Sequence, residues 1–284
     1  MRFRLPLLVF GSVLLTSTLL AQNQLEFRTL TQDAIEVRLQ AFSVKNDQRE
    51  TTLKQLFMQS GCKDDRLTEQ VVRKSLPPNL ICVLPGQTDQ VILVGAHSDH
   101  TERGDGVVDN WSGASLLPSL FYSLSETARH HTYVFVAFTD EEGGMIGSEF
   151  YARTLPAVQR TRVSGMVNMD TLGLGPAEVW ASSSDNTMLD AMAQTAFAMK
   201  IPVTAMNVDQ VGSSDSESFA RFRIPRITIH SVTQETWPIL HSSRDKLNVV
   251  KMNDYYETYR LIAGYLTFLD TYLDQPAPPP KSLP

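Results

Sequence analysis

Two cysteines in 284 residues cannot build a metal site on their own, so metal binding in this chain has to rest on histidine and carboxylate. Positive charge is also short. The 25 Lys and Arg stand against 31 Asp and Glu, which leaves no electrostatic footprint for nucleic acid or anionic lipid. There is no internal repeat, and past residue 21 no stretch is apolar enough to span a bilayer. With 42% hydrophobic and 20% charged residues, the composition excludes collagen-like, coiled-coil and wholly disordered chains.

The first 21 residues stand apart from the rest. Arg2 and Arg4 form a basic head, Leu5 to Leu20 an apolar run and Ala21 a small cleavage residue, the pattern of a secretory signal peptide. Arg2 and Arg4 are its only charges, so its removal takes the formal charge from −6 to −8. Export would place the protein outside the cell or in a periplasm, with no stable membrane span in the mature chain. Cys62 and Cys82 allow a single pairing, which an oxidising compartment favours. At the other end Pro276, Pro278, Pro279 and Pro280 crowd residues 275–284 into an extended or disordered tail.

Between these ends, short apolar runs alternate with helical patterns. Val91–Ala96, Tyr133–Phe138, Val163–Met169 and Ile224–Ile229 are nearly continuous rather than alternating, as strands buried on both faces should be. A helix ending near Gly61 and two further strands, Thr68–Arg73 and Asn79–Leu84, precede them. Ser112 is placed to cap a helix through Tyr122, and Asp185 one through Met199. In the last helix Tyr255, Tyr259, Ile262, Leu266, Leu269 and Leu273 form one apolar stripe. The expected fold is α/β: a single domain with a mixed, mostly parallel sheet flanked by helices on both faces.

In such a sheet, chemistry gathers beyond the carboxyl ends of the strands. Val91–Ala96 runs into His97-Ser98-Asp99-His100, and Tyr133–Phe138 into Asp140-Glu141-Glu142. Val163–Met169 ends at Asp170, the loop after Ile224–Ile229 holds His241, and Asp109 precedes a helix that starts on the same edge. Each group alone is commonplace: a surface pair, a solvated acidic loop, a turn former. Their meeting on one edge suits zinc or a similar metal. Asp99 has the position of a carboxylate that holds the second nitrogen of a metal-bound imidazole. Side chains of adjacent residues in extended backbone point to opposite sides, so Glu141 and Glu142 should do different work. His130 and His131 flank a strand and read as solvated, and His230 reads as a packing or capping residue. Arg221, Arg223 and Arg226 read as a charged face.

At these residues the chain resembles the M28 family of zinc aminopeptidases. The resemblance is carried by Gly95-Ala96-His97-Ser98-Asp99, Asp109-Asn110-Trp111-Ser112-Gly113, Phe138-Thr139-Asp140-Glu141-Glu142-Gly143, Asn168-Met169-Asp170 and Leu240-His241-Ser242. Gly147-Ser148 and Ser214-Asp215 before Phe219 also follow it. It covers roughly residues 50–270 and implies a metallopeptidase domain over 22–274 that acts on peptides with a free N-terminus. It further implies two Zn²⁺ ions, one on His97 and Asp170, the other on Glu142 and His241, with Asp109 bridging. Glu141 is then the general base, Asp99 the partner of His97, and the Asp109–Asn110 peptide is cis. The chain departs from the family at Ser216, where His is usual, and at Asp140, often Gly. The related glutaminyl cyclases share this ligand pattern but generally carry Trp directly before the last His, where this chain has Leu240, with Trp237 three residues earlier. Non-catalytic receptors of this fold would have lost ligands or the base, and here all six positions are filled.

Overall fold

Apolar runs without polar interruption become strands here because both of their faces are covered. The computed structural model describes residues 26–209 and 212–274. The signal peptide read at 1–21 and the tail at 275–284 lie outside the described residues. The chain begins with helices α1 (Gln32–Gln40) and α2 (Asn46–Gln59), then strands β1 (Leu67–Gln70), β2 (Asn79–Leu84) and β3 (Val91–His97). Next come α3 (Ser112–Leu124), β4 (Thr132–Phe138), α4 (Ile146–Thr154), α5 (Ala157–Arg160) and β5 (Val163–Met169). The last part holds β6 (Glu178–Val179), α6 (Asn186–Met199), β7 (Thr204–Ala205), α7 (Glu217–Ala220), β8 (Arg226–His230) and α8 (Met252–Tyr272). Among the described residues no helix is long and apolar enough to cross a membrane.

The strands form one eight-stranded sheet in the order β1-β2-β4-β3-β5-β8-β6-β7. Its centre, β4-β3-β5-β8, is parallel, while β1, β2 and β6 join antiparallel to their inner neighbours. Along β3, Ile92, Val94 and Ala96 face one side and Leu93 the other; along β4, Tyr133, Phe135 and Ala137 oppose Val134, Val136 and Phe138. The first face packs under α1, α2, α3, α6 and α8, the second under Tyr151 of α4 and Phe219 of α7. The stripe on α8 is buried as its spacing predicts, and the Asp185 side chain caps α6 by accepting the Thr187 N–H at 3.0 Å.

Four details differ from the sequence reading. β1 stops at Gln70 because its register pairs Gln70 with Asn79, and the next positions on the partner side are Pro78 and Pro77, which offer no N–H. β8 starts after Pro225 for the same reason and runs on to His230. Ser112 does not cap α3: it is already helical, its hydroxyl donating to the Val108 carbonyl at 2.7 Å and accepting the Leu172 N–H at 2.9 Å. His131 is not solvated but buried, with Nδ1 3.3 Å from Asp270 on α8. The Asp270 carboxylate also accepts the main-chain N–H groups of His130 and His131 at 2.8 Å each, pinning the end of α8 to the start of β4. Cys62 and Cys82, both buried, form a disulfide that ties the end of α2 to β2.

Candidate metal centre

β3 lies between β4 and β5, so its successor departs to one side and the next parallel strand sits on the other. Sheets of this kind open a crevice at that switch point, outside the carboxyl ends of the strands. His97 is the last residue of β3, and Asp170 directly follows β5. Glu141 and Glu142 lie in the turn leaving β4, and His241 in the loop beyond β8. Asp109 stands in the turn entering α3, behind a cis Asp109–Asn110 peptide. All six residues reach the same crevice.

The bridging position is visible in the distances. Asp109 Oδ1 is 3.2 Å from His97 Nε2, and its Oδ2 is 3.1 Å from His241 Nε2. His97 Nε2 is also 3.5 Å from Asp170 Oδ1, and His241 Nε2 is 2.9 Å from Glu142 Oε2. Two groups result, His97–Asp109–Asp170 and Asp109–Glu142–His241, each with ligand atoms within 4.8 Å of one another and with Asp109 in both. A His-carboxylate set of this kind suits zinc. Glu142 Oε1 is buried without a hydrogen-bond partner among the described residues, an acceptor that a bound cation would satisfy.

Most of these side chains are held from behind, whereas the His241 ring is 58% exposed and pairs only with Asp109 and Glu142 among the described residues. Asp245 accepts the N–H groups of Val108 and Asp109 at 2.7 and 3.1 Å. The Asn110 amide accepts from Gly113 and Thr171 and donates to the Met169 carbonyl, joining the Asp109 turn to the end of β5. Asp170 Oδ2 receives the Ser214 hydroxyl at 2.6 Å, which in turn accepts the Asn168 amide at 2.6 Å. Asp99 lies beside His97, on the side of the ring away from the other carboxylates. Its carboxylate is 3.6 Å from His97 Nδ1, beyond hydrogen-bond range, while its main-chain carbonyl stands 3.2 Å from the same nitrogen. The carboxylate also accepts the N–H groups of Glu141 at 3.0 Å and Glu142 at 3.2 Å. It fixes the turn that carries both glutamates. Asp245 had no signal in the sequence, because its partners are main-chain groups more than a hundred residues away.

Packing so many acids into one largely buried crevice strains their ionisation. Burial pushes the Glu141 carboxyl up to about 9, with Asp215, Asp170 and Asp109 adding to the effect against the pull of His97. Glu142 is raised mainly by burial and then by Asp109, and buried Asp215 rises to about 7. Asp109 moves down instead, since His241 and His97 outweigh its burial. The His241 ring is pushed up to about 10 by its bonds to Asp109 and Glu142. Burial opposes charge on His97, but the carboxylates around it win and its pKa is raised. A divalent cation held here would favour ionised acids and neutral imidazoles, since Nε2 must be unprotonated to act as a ligand.

The crevice opens into a cleft of about 370 Å³. Trp180, Val208, Val232, Trp237 and Leu240 supply its apolar lining. His230 also lines it and is buried, with Nε2 donating to the Met206 carbonyl at 3.0 Å and Nδ1 accepting the Val232 N–H.

Residues 79–266 match the model of peptidase family M28. A probable leucine aminopeptidase of Trichophyton verrucosum is 25% identical over 234 residues, which is 75% of this chain and 61% of that protein. The chain spans less than two thirds of the length of the curated relatives it matches. Among solved structures, the zinc aminopeptidase BSAP of Bacillus subtilis superposes with a TM-score of 0.62 at 21% identity, covering 67% of this chain and 49% of that one. A glutaminyl cyclase from an Acidobacteriales bacterium gives a TM-score of 0.69 at 16% identity, covering 88% and 97%.

Proposed function

The chain belongs to peptidase family M28, and we propose that it is a two-zinc aminopeptidase that removes N-terminal residues from peptides. The observation that carries this reading is the division of Asp109, one oxygen toward His97 and Asp170 and the other toward His241 and Glu142. Two divalent cations held by these five side chains would polarise the scissile carbonyl, promote ionisation of the attacking water and offset the charge of the surrounding acids.

The chain's own residues supply the rest. Glu141 is half-buried beside the ligand set and is held in place by its N–H bond to Asp99. With two cations set against the surrounding acids Glu141 would be ionised, and its carboxylate takes a proton from water as the new C–O bond forms. It then delivers that proton to the nitrogen of the departing amine as the C–N bond breaks, leaving the shortened peptide and a free amino acid. Asp99 holds the Glu141-Glu142 turn, and Asp245 and Asn110 hold Asp109. The apolar wall of Trp180, Val208, Val232 and Leu240 receives the N-terminal side chain and excludes water.

A second reading, glutaminyl-peptide cyclotransfer, is favoured by the near full-length likeness to the bacterial cyclase and opposed by Leu240 in front of His241. One panel decides between them: aminoacyl anilides and an N-terminal Gln peptide, with and without chelator. Chelator-sensitive release of anilines supports the aminopeptidase; pyroglutamate formation without hydrolysis overturns it. We further propose that the protein acts outside the cytoplasm, which the Cys62–Cys82 disulfide supports.

A further inference from the structure

Arg49, on α2, is fully buried, yet no carboxylate lies within ion-pair distance of it among the described residues. Its guanidinium is satisfied entirely by main-chain carbonyls. Nε donates to Ser43 at 2.6 Å, Nη1 to Ser98 at 3.2 Å, and Nη2 to Asp105 at 2.7 Å and Gly106 at 2.9 Å. The far side of the group lies 5.7 Å from the Trp111 ring centroid. Ser98 sits between His97 and Asp99, and Asp105-Gly106 opens the segment that ends at Asp109. One planar fork therefore holds, from a helix outside the site, the two loops whose side chains meet at the centre. Asp245 completes the frame, its carbonyl accepting the Asp105 N–H at 2.8 Å and its carboxylate holding Val108 and Asp109.

We infer that Arg49 is a positioning residue of the metal centre: its fork sets the spacing between the His97 turn and the Asp109 turn, and so the affinity for the metal pair. This rests on the two-metal reading above. The guanidinium shape carries the role, because an ammonium is a point donor that cannot reach carbonyls on three segments at once. The charge by itself would act the other way, since a nearby cation repels metal ions. The two effects thus predict different outcomes for different substitutions.

The test is Co²⁺ titration of the metal-free full-length protein, read by its d–d absorption, with thermal melting of the metal-free form as a check on folding. Arg49→Lys keeps the charge and loses the fork, and should weaken cobalt binding about 10- to 100-fold, the usual cost of losing a group that orients metal ligands. Arg49→Met should weaken it as well. Gly106→Ala serves if neither variant folds: a Cβ there would lie 2.8 Å from Nη2 and press on His100, parting the loop from an intact Arg49, with the same loss of affinity. Wild-type affinity in Arg49→Lys, or tighter binding in Arg49→Met, overturns the inference. A lowered melting temperature with unchanged cobalt affinity and spectrum also overturns it, since that is a purely structural role. A wild type that takes up no second ion refutes the two-metal reading itself.

Discussion

Replacing Asp99 by Asn keeps the shape of the side chain and changes one acceptor into a donor. In the native structure both oxygens accept main-chain N–H groups, from Glu141 at 3.0 Å and Glu142 at 3.2 Å, in a buried setting. The amide can satisfy only one, and its NH₂ group then faces the other N–H. A hydrogen bond to a charged group contributes about 1.5–3 kcal/mol. Expressed in the folded state, its loss lowers Tm by about 3–12 °C at roughly 2–4 °C per kcal/mol for a chain of this size. Expressed as misplacement of Glu141, it lowers kcat/KM by about 10- to 150-fold at ~1.4 kcal/mol per decade. The assay is thermal melting together with steady-state hydrolysis of an aminoacyl anilide by metal-saturated enzyme. If Asp99→Asn leaves both unchanged, the carboxylate does not hold the turn. If it weakens only metal binding while the melt and the saturated rate stay native, Asp99 acts on His97 as the sequence first suggested.

The two adjacent glutamates should fail differently. Glu141→Gln should keep its metals and lose about 10²–10⁴-fold in kcat, whereas Glu142→Ala should lose metal and activity together; zinc content and turnover of the two variants separate the roles. The His131–Asp270 contact makes stability depend on pH. The His131 pKa is raised by Asp270 despite burial, so its contribution is fully present below ~6.5, the value for a free imidazole, and is lost as pH rises through the folded value. Asp270 is lowered by His131 and the N–H groups it accepts, against its burial, so its own contribution is lost as pH falls through its lowered value. His131→Asn should therefore lower Tm more at pH 6 than at pH 9, and an equal deficit at both refutes the linkage. Reduction of Cys62–Cys82, separated by 20 residues, should cost about 3 kcal/mol, seen as a lower urea midpoint with dithiothreitol than without; an unchanged midpoint refutes that value.

The parts of this protein legible from sequence are those set by local pattern. β3, β4 and β5 were readable because residues buried on both faces leave unbroken apolar runs, and the ligand set because each member follows such a run. What escaped depends on partners distant in the chain. Nothing near His131 announces Asp270, 139 residues on, so two adjacent histidines at a strand end read as solvated. Arg49 and Asp245 work through carbonyl and N–H groups, which every residue has, so no pattern marks their targets. β6 and β7, two residues each, are too short to show a period. Asp99 shows both kinds of signal: its place two residues after His97 is local, whereas the turn after β4 that lays two N–H groups on its carboxylate leaves no pattern in the sequence.

The most direct test of the central claim is the metal stoichiometry of the purified chain, measured by elemental analysis after dialysis, alongside Asp109→Asn. Two groups of ligands sharing one carboxylate predict two zinc ions per chain in the wild type, and loss of both from tight binding when Asp109 is neutralised. A wild type that holds a single tight ion, or an Asp109→Asn variant that keeps two, would contradict it.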